Sequence, residues 1–125
     1  MDVTPLIPQG RQIIESYGNG GFRVTGERYS GSILVLPERA AAWAPVSIDD
    51  LDLASLEPVL AAEPAVEVLL IGCGTSMAFI DPELRDAARA RGVALEPMDT
   101  GAACRTYNVL AMEDRRVAAA LIAVE

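Results

Sequence analysis

The 125-residue sequence predicts an α/β domain built on a mixed, largely parallel sheet. Short apolar runs, "SILVLP" at 32–37, "VEVLLIG" at 66–72 and "VALEPM" at 93–98, alternate with stretches of helical periodicity. Helix punctuation falls where such an alternation needs it, and a turn signal near the start adds a hairpin. Strands alternating with helices bury both faces of a sheet, which defines the class.

The segments "RQIIESY" (11–17) and "FRVT" (22–25) flank "GNGG" at 18–21, whose Asn and Gly accept the positive φ angles of a tight turn. An N-terminal β-hairpin follows. The run at 32–37 is apolar on both faces, as a central strand covered from above and below requires. Residues 38–48, "ERAAAWAPVSI", read as one long connection in which a lone Trp such as Trp43 is more often a lid over the core edge than a binding anchor. From Ser47 the period changes: Ser47 or Asp49 caps a helix that places Leu53, Leu56 and Leu60 on one face and bends at Pro58. The strand at 66–72 leads through the loop "CGTSMAFI" to a helix with Asp81 as cap, Pro82 in its first turn and Gly92 at its end. The strand at 93–98 precedes a helix over 100–115, capped by Thr100, with Ala103, Tyr107 and Leu110 on one face. The last segment, 115–124, fits either type by period, and its Val and Ile favour a strand that completes the sheet.

Length fits one domain, 1–125, able to bury roughly two-thirds of its unfolded surface. Apolar residues make up 51% of the chain, yet no run reaches the ~20 needed to span a bilayer, so no membrane insertion is expected. The opening, "MDVTPLIPQGRQ", has neither the pattern of a signal peptide nor that of a transit sequence, which points to the cytoplasm. All ten basic residues are Arg, a usage that suggests a GC-rich bacterial genome. A net charge of −8 with dispersed Arg repels phosphate backbones and argues against nucleic acid. With no His and no Lys, the Ser-His-Asp and Cys-His arrangements, the P-loop lysine and Schiff-base chemistry are all excluded.

Ligands in α/β sheets gather beyond the carboxyl ends of parallel strands. Two loops occupy that position: Gly72, Cys73, Gly74, Thr75 and Ser76 after one strand, and Asp99, Thr100 and Gly101 after the next. A right-handed crossover puts both on one edge, where helix N–H groups and Arg105 would receive an anion. The bland reading is that the glycines make turns, the threonines satisfy backbone groups and Asp99 pairs with Arg105. "DTG" at 99–101 spells an aspartic-protease half-site, but that chemistry needs a second carboxylate and an all-β scaffold, and helix formers follow Gly101. "GCGTSM" breaks a dinucleotide fingerprint by placing Met77 at its third glycine. Cys104, in the first turn or so of a helix, would have its pKa lowered by the dipole, while the bland reading makes it and Cys73 small buried hydrophobes. Two thiols without His make no closed metal site, and no cofactor is expected.

"VEVLLIGCGTS" and, above all, "MDTGAACRTYNVL" resemble a family of small domains of unknown function that includes the mitochondrial complex I assembly factor 3 and the adipogenesis-associated domain protein. The resemblance covers about residues 20–123. It implies a three-layer fold on a mixed five-stranded sheet with a β-hairpin, and no established catalytic residues. The positions matching the family pattern include Gly72, Gly74, Thr100, Gly101, Arg105, Tyr107, Asn108 and Arg116. The reading that follows is a non-enzymatic interaction or assembly factor whose 99–116 edge, with Tyr107, Asn108 and Arg116, meets a protein partner; a homodimer is one form this could take. The other reading is a binder of, or an enzyme acting on, a small anionic metabolite held between the 72–75 and 99–105 loops.

Overall fold

A computed structural model describes residues 10–125; the opening segment read above for targeting signals lies outside them. Strands β1 (Ile14–Gly18), β2 (Gly21–Val24) and β3 (Glu27–Ser30) form a three-stranded antiparallel sheet in the order β1-β2-β3. The β1–β2 turn is Asn19-Gly20, with φ of 54° and 76°, the left-handed pair its sequence predicts. A third strand was not expected. Thr25-Gly26 repeats the same geometry (φ 46° and 82°) and folds β3 back onto β2.

The larger sheet contains β4 (Ile33–Val35), β5 (Ala40–Ala42), β6 (Val68–Gly72), β7 (Ala94–Met98) and β8 (Val117–Leu121), in the order β5-β4-β8-β6-β7. Strands β7, β6 and β8 are mutually parallel, β4 runs antiparallel to β8, and β5 closes the edge antiparallel to β4. The sheet is therefore mixed, and the final segment is a strand, as its composition favours. Residues 38–48 are not a plain connection, because Pro37 to Arg39 turns the chain and the alanines of β5 pair with β4. Trp43 does lie over the core edge: it is 7% exposed and its Nε1 donates to the Ser55 carbonyl at 2.8 Å.

Three helices cover the sheet: α1 (Leu53–Leu60), α2 (Pro82–Ala90) and α3 (Thr100–Met112). The expected helix from Ser47 is split. Ser47 caps a single 3₁₀ turn at Ile48–Asp50, and α1 starts afresh under a capping box between Asp52 and Ser55. Leu56 and Leu60 are buried, but Leu53, in the first turn, is exposed. Helix α2 has Asp81 as cap and Pro82 in its first turn, as the sequence predicts. Helix α3 is capped by Asp99, not Thr100: the Asp99 carboxylate accepts from Ala102 N at 2.8 Å. Thr100 is the first helical residue, and its side chain serves a different purpose.

Alternation in the strands assigns one core to each face. Leu34, Leu69, Ile71, Leu95, Ala118 and Ala120 pack towards α1 and α2. Ile33, Val35, Leu70, Ala119 and Leu121 pack with α3 and the small sheet, around Phe22 and Tyr107. The result is three layers, with the alanines of β8 letting both outer layers approach its centre. Because β6 and β7 are parallel neighbours, with Gly72 beside Met98 in register, their trailing loops leave the same edge.

Candidate functional site

The two loops do meet, and they meet through direct hydrogen bonds. Cys73 N donates to the Met98 carbonyl, and Thr100 N to the Gly74 carbonyl, both at 2.8 Å. The Thr100 hydroxyl accepts from Gly74 N at 2.9 Å and donates to the Ile122 carbonyl at 2.8 Å. Ile122 N in turn donates to the Gly72 carbonyl at 2.9 Å. One threonine thereby ties the ends of all three parallel strands, and it is fully buried. Gly72 is needed for this closeness, since a Cβ there would lie 2.8 Å from Leu121 Cδ2 and 3.1 Å from Thr100 Cα.

The sequence-derived site residues therefore divide. Gly72, Cys73, Gly74 and Thr100 form the closed junction, whereas Thr75 is exposed beyond it. Asp99 is engaged in capping. Arg105 is exposed and reaches Tyr17 Oη at 3.3 Å; among the described residues no ion pair joins it to Asp99. Gly101 lies beneath that same Tyr17, whose hydroxyl would stand 2.5 Å from an added Cβ. Sequence reasoning missed Tyr17 because its partner is 88 residues away. Between β1 and α3 a cavity of about 330 Å³ is lined by Ile14, Ser16, Tyr17, Cys104, Arg105 and Asn108.

Cys104 is not activated by its place near the helix start. Burial pushes the Cys104 pKa up to about 12, outweighing the downward pull of Arg105; the charge of Asp99 adds a smaller push upward. The lowered pKa expected from the helix dipole is therefore overturned: desolvation of the buried thiol is the larger effect. Cys73 is also buried, with only a long 3.6 Å contact from its sulfur to the Ile71 carbonyl.

The three residues assigned to a partner are held inside the chain. Tyr107 is fully buried and donates to the Gln12 carbonyl at 3.1 Å, which places its ring in the core rather than at a surface. Asn108 accepts from Ile14 N at 2.9 Å and donates to the Ile14 carbonyl at 2.8 Å, imitating a neighbouring strand for β1. Arg116 bonds Glu38 at 2.5 Å and the carbonyls of Pro64 and Ala65 at 2.8 and 3.3 Å. The outward residues of α3 are instead Arg105, Val109 and Met112, spaced to share one face. Among the described residues no group of three His, Cys, Asp or Glu is placed to hold a metal, and no helix is long and apolar enough to cross a membrane.

These features define a small three-layer α/β domain whose parallel strand ends are tied together by its own backbone and one buried threonine. The family model described as a protein of unknown function (DUF498/DUF598) matches residues 14–122, and the chain belongs to that family. The resemblance carried by the 98–110 stretch is thereby confirmed. NADH dehydrogenase (ubiquinone) 1 alpha subcomplex assembly factor 3 of Xenopus tropicalis is 38% identical over 109 residues, which are 87% of this chain and 60% of that protein. The chain thus spans about 60% of the length of that assembly factor. An uncharacterized protein of Rhodobacter capsulatus is 42% identical over 109 residues, covering 87% of this chain and 82% of its own length. The crystal structure of a protein described as an outer membrane protein from Bartonella henselae superimposes with a TM-score of 0.85 at 39% identity, covering 96% of this chain and all of that one.

Proposed function

We propose that this chain is a non-catalytic interaction domain that assists the assembly of a protein complex in the cytoplasm. The observation that carries the proposal is the closed junction. At the edge where α/β folds ordinarily admit ligands, Gly72, Gly74 and Thr100 are bonded to one another and to Ile122. The relation to a protein named as an assembly factor supports the same reading. So does the display of apolar side chains: Val109 and Met112 stand exposed on α3 beside Arg105, where burial against a partner would be favourable.

The test is to tag the full chain in cells that carry it natively, crosslink in the cell, and measure the mass and stoichiometry of what co-purifies. A discrete complex with a defined protein, at fixed ratio across preparations, is the expected result. Recovery of uncomplexed monomer alone, with stabilisation by small anionic metabolites in a thermal-shift screen, would overturn the proposal.

A further inference from the structure

The charge of this chain is segregated along its sequence. Between Arg39 and Arg85 there is no Arg, while the same stretch holds eight Asp and Glu; the rest of the chain is balanced. The whole net charge of −8 therefore belongs to residues 40–84, which build β5, α1, β6 and the approach to α2.

Part of that charge rims a groove of about 310 Å³ between the N-terminal turns of α1 and α2. Leu51, Leu53 and Leu84 supply its apolar lining, and Asp52, Asp81 and Glu83 its carboxylates; no Arg lines it. A second hollow of about 400 Å³ continues the surface across Asp52 to Asp50, Ala44 and Pro45. Asp52 and Asp81 each use Oδ1 to cap a helix. Among the described residues no Arg pairs with either of them or with Glu83.

The same stretch also holds the most exposed large apolar side chains of the described residues: Phe79 at 95%, Val46 at 80% and Met77 at 57%. Phe79 is presented from a fixed base. Ile80 beside it is buried, Ala78 on its other side packs against the core, and Asp81 begins α2.

An apolar groove rimmed by carboxylates has a defined complement. It attracts Lys or Arg to its rim and an apolar side chain to its lining, and it repels phosphate and anionic headgroups. A second copy of this chain would bring its own −8. We infer that the α1–α2 groove receives a basic amphipathic segment of a protein partner, and that Phe79, exposed two residues before Asp81 of its rim, joins the same contact. This rests on the interaction-domain reading above and names the chemistry of one partner surface.

The experiment replaces Leu53, Phe79 or Val109, one at a time, by the photocrosslinker p-benzoyl-phenylalanine in the full chain, irradiates native cells, and sequences the crosslinked peptides. Positions 53 and 79 are expected to capture a segment with net positive charge and apolar residues. Glu83→Gln in the same chains should lower the yield about tenfold at low salt, and less at high salt, where the pair is screened. Phe79→Ser, combined with the crosslinker at 53, should lower it comparably while thermal stability stays unchanged. Capture by 53 and 79 of a neutral or acidic segment, or of this same chain, overturns the inference. Capture at 109 alone also overturns it but leaves the interaction-domain reading standing, whereas no capture at any of the three positions removes both.

Discussion

At the C-terminal ends of β6, β7 and β8, the Thr100 hydroxyl, Gly74 N–H and the Ile122 carbonyl all find partners within the chain. At the α1–α2 groove Asp52 and Asp81 each cap a helix, yet among the described residues neither they nor Glu83 form an ion pair with Arg, and Phe79, two residues before Asp81, stands almost wholly in solvent. Both regions are built from loops that enter helix N-termini, so local geometry does not separate them. Satisfaction does. The first region is closed by its own hydrogen bonds, whereas the second keeps carboxylates without a cationic partner beside exposed apolar side chains, and the proposed contact at the helical face rests on that difference.

The sharpest way to break this contrast is Thr100→Val. It removes one donor and one acceptor from a fully buried site and orphans both partners, so urea unfolding should show a loss of about 3 kcal/mol. A loss under about 1 kcal/mol would mean that water already reaches the junction. Next is Gly72→Ala, whose Cβ must displace Leu121 and Thr100 and should cost about 2 kcal/mol by the same measurement. Gly101→Ala is the control. Its nearest obstacle is the end of the half-exposed Tyr17 side chain, which can swing outward, so stability should stay within about 1 kcal/mol of wild type.

Smaller again at neutral pH is the consequence of the buried thiol. Native Cys104 should resist iodoacetamide at pH 7.5 and react only after unfolding, as mass spectrometry would show. The unfolded chain gives up this proton near pH 9, and the folded chain only near 12. Stability held below pH 9 should therefore fall as pH rises between those values, because the unfolded state ionises first. Burial also raises the Tyr107 pKa and so works in the same direction. Denaturation midpoints at pH 8, 10 and 11 check the sign. The smallest effect belongs to the open face, where Phe79→Ser and Glu83→Gln should each shift stability by less than about 0.5 kcal/mol.

Much of the fold was legible because its signals are local. Asn19-Gly20, the Asp81-Pro82 start and Gly92 end of α2, and the apolar runs of β4 and β6 each carry their reason within a few residues. Strand β3, "ERYS", is polar and pairs because Thr25-Gly26 turns it back, a signal present in the sequence but masked by Thr at a positive φ. Strand β5 is three alanines, which have little preference for extended structure and are held by Ile33, Leu34 and Val35. The candidate site was legible in position but not in state. Parallel strands bring 72–75 and 99–101 together, as their order predicts, but nothing local shows that Thr100 also reaches Ile122, 22 residues on. Likewise, Tyr107 and Asn108 read as surface polar groups until Gln12 and Ile14, more than 90 residues away, take up their hydrogen bonds.

Strand β8 sits in the middle of the larger sheet yet comes last in the chain, joining β4 on one side to β6 on the other. Before residues 117–121 arrive, the β4–β5 pair and the β6–β7 pair have no ladder between them. During synthesis, at roughly 5–20 residues per second, the nascent polypeptide must carry two apolar half-sheets for several seconds. Its maturation is thus gated by the emergence of the strand at the centre of its larger sheet, and a ribosome stalled before codon 117 would expose that unfinished seam to chaperones.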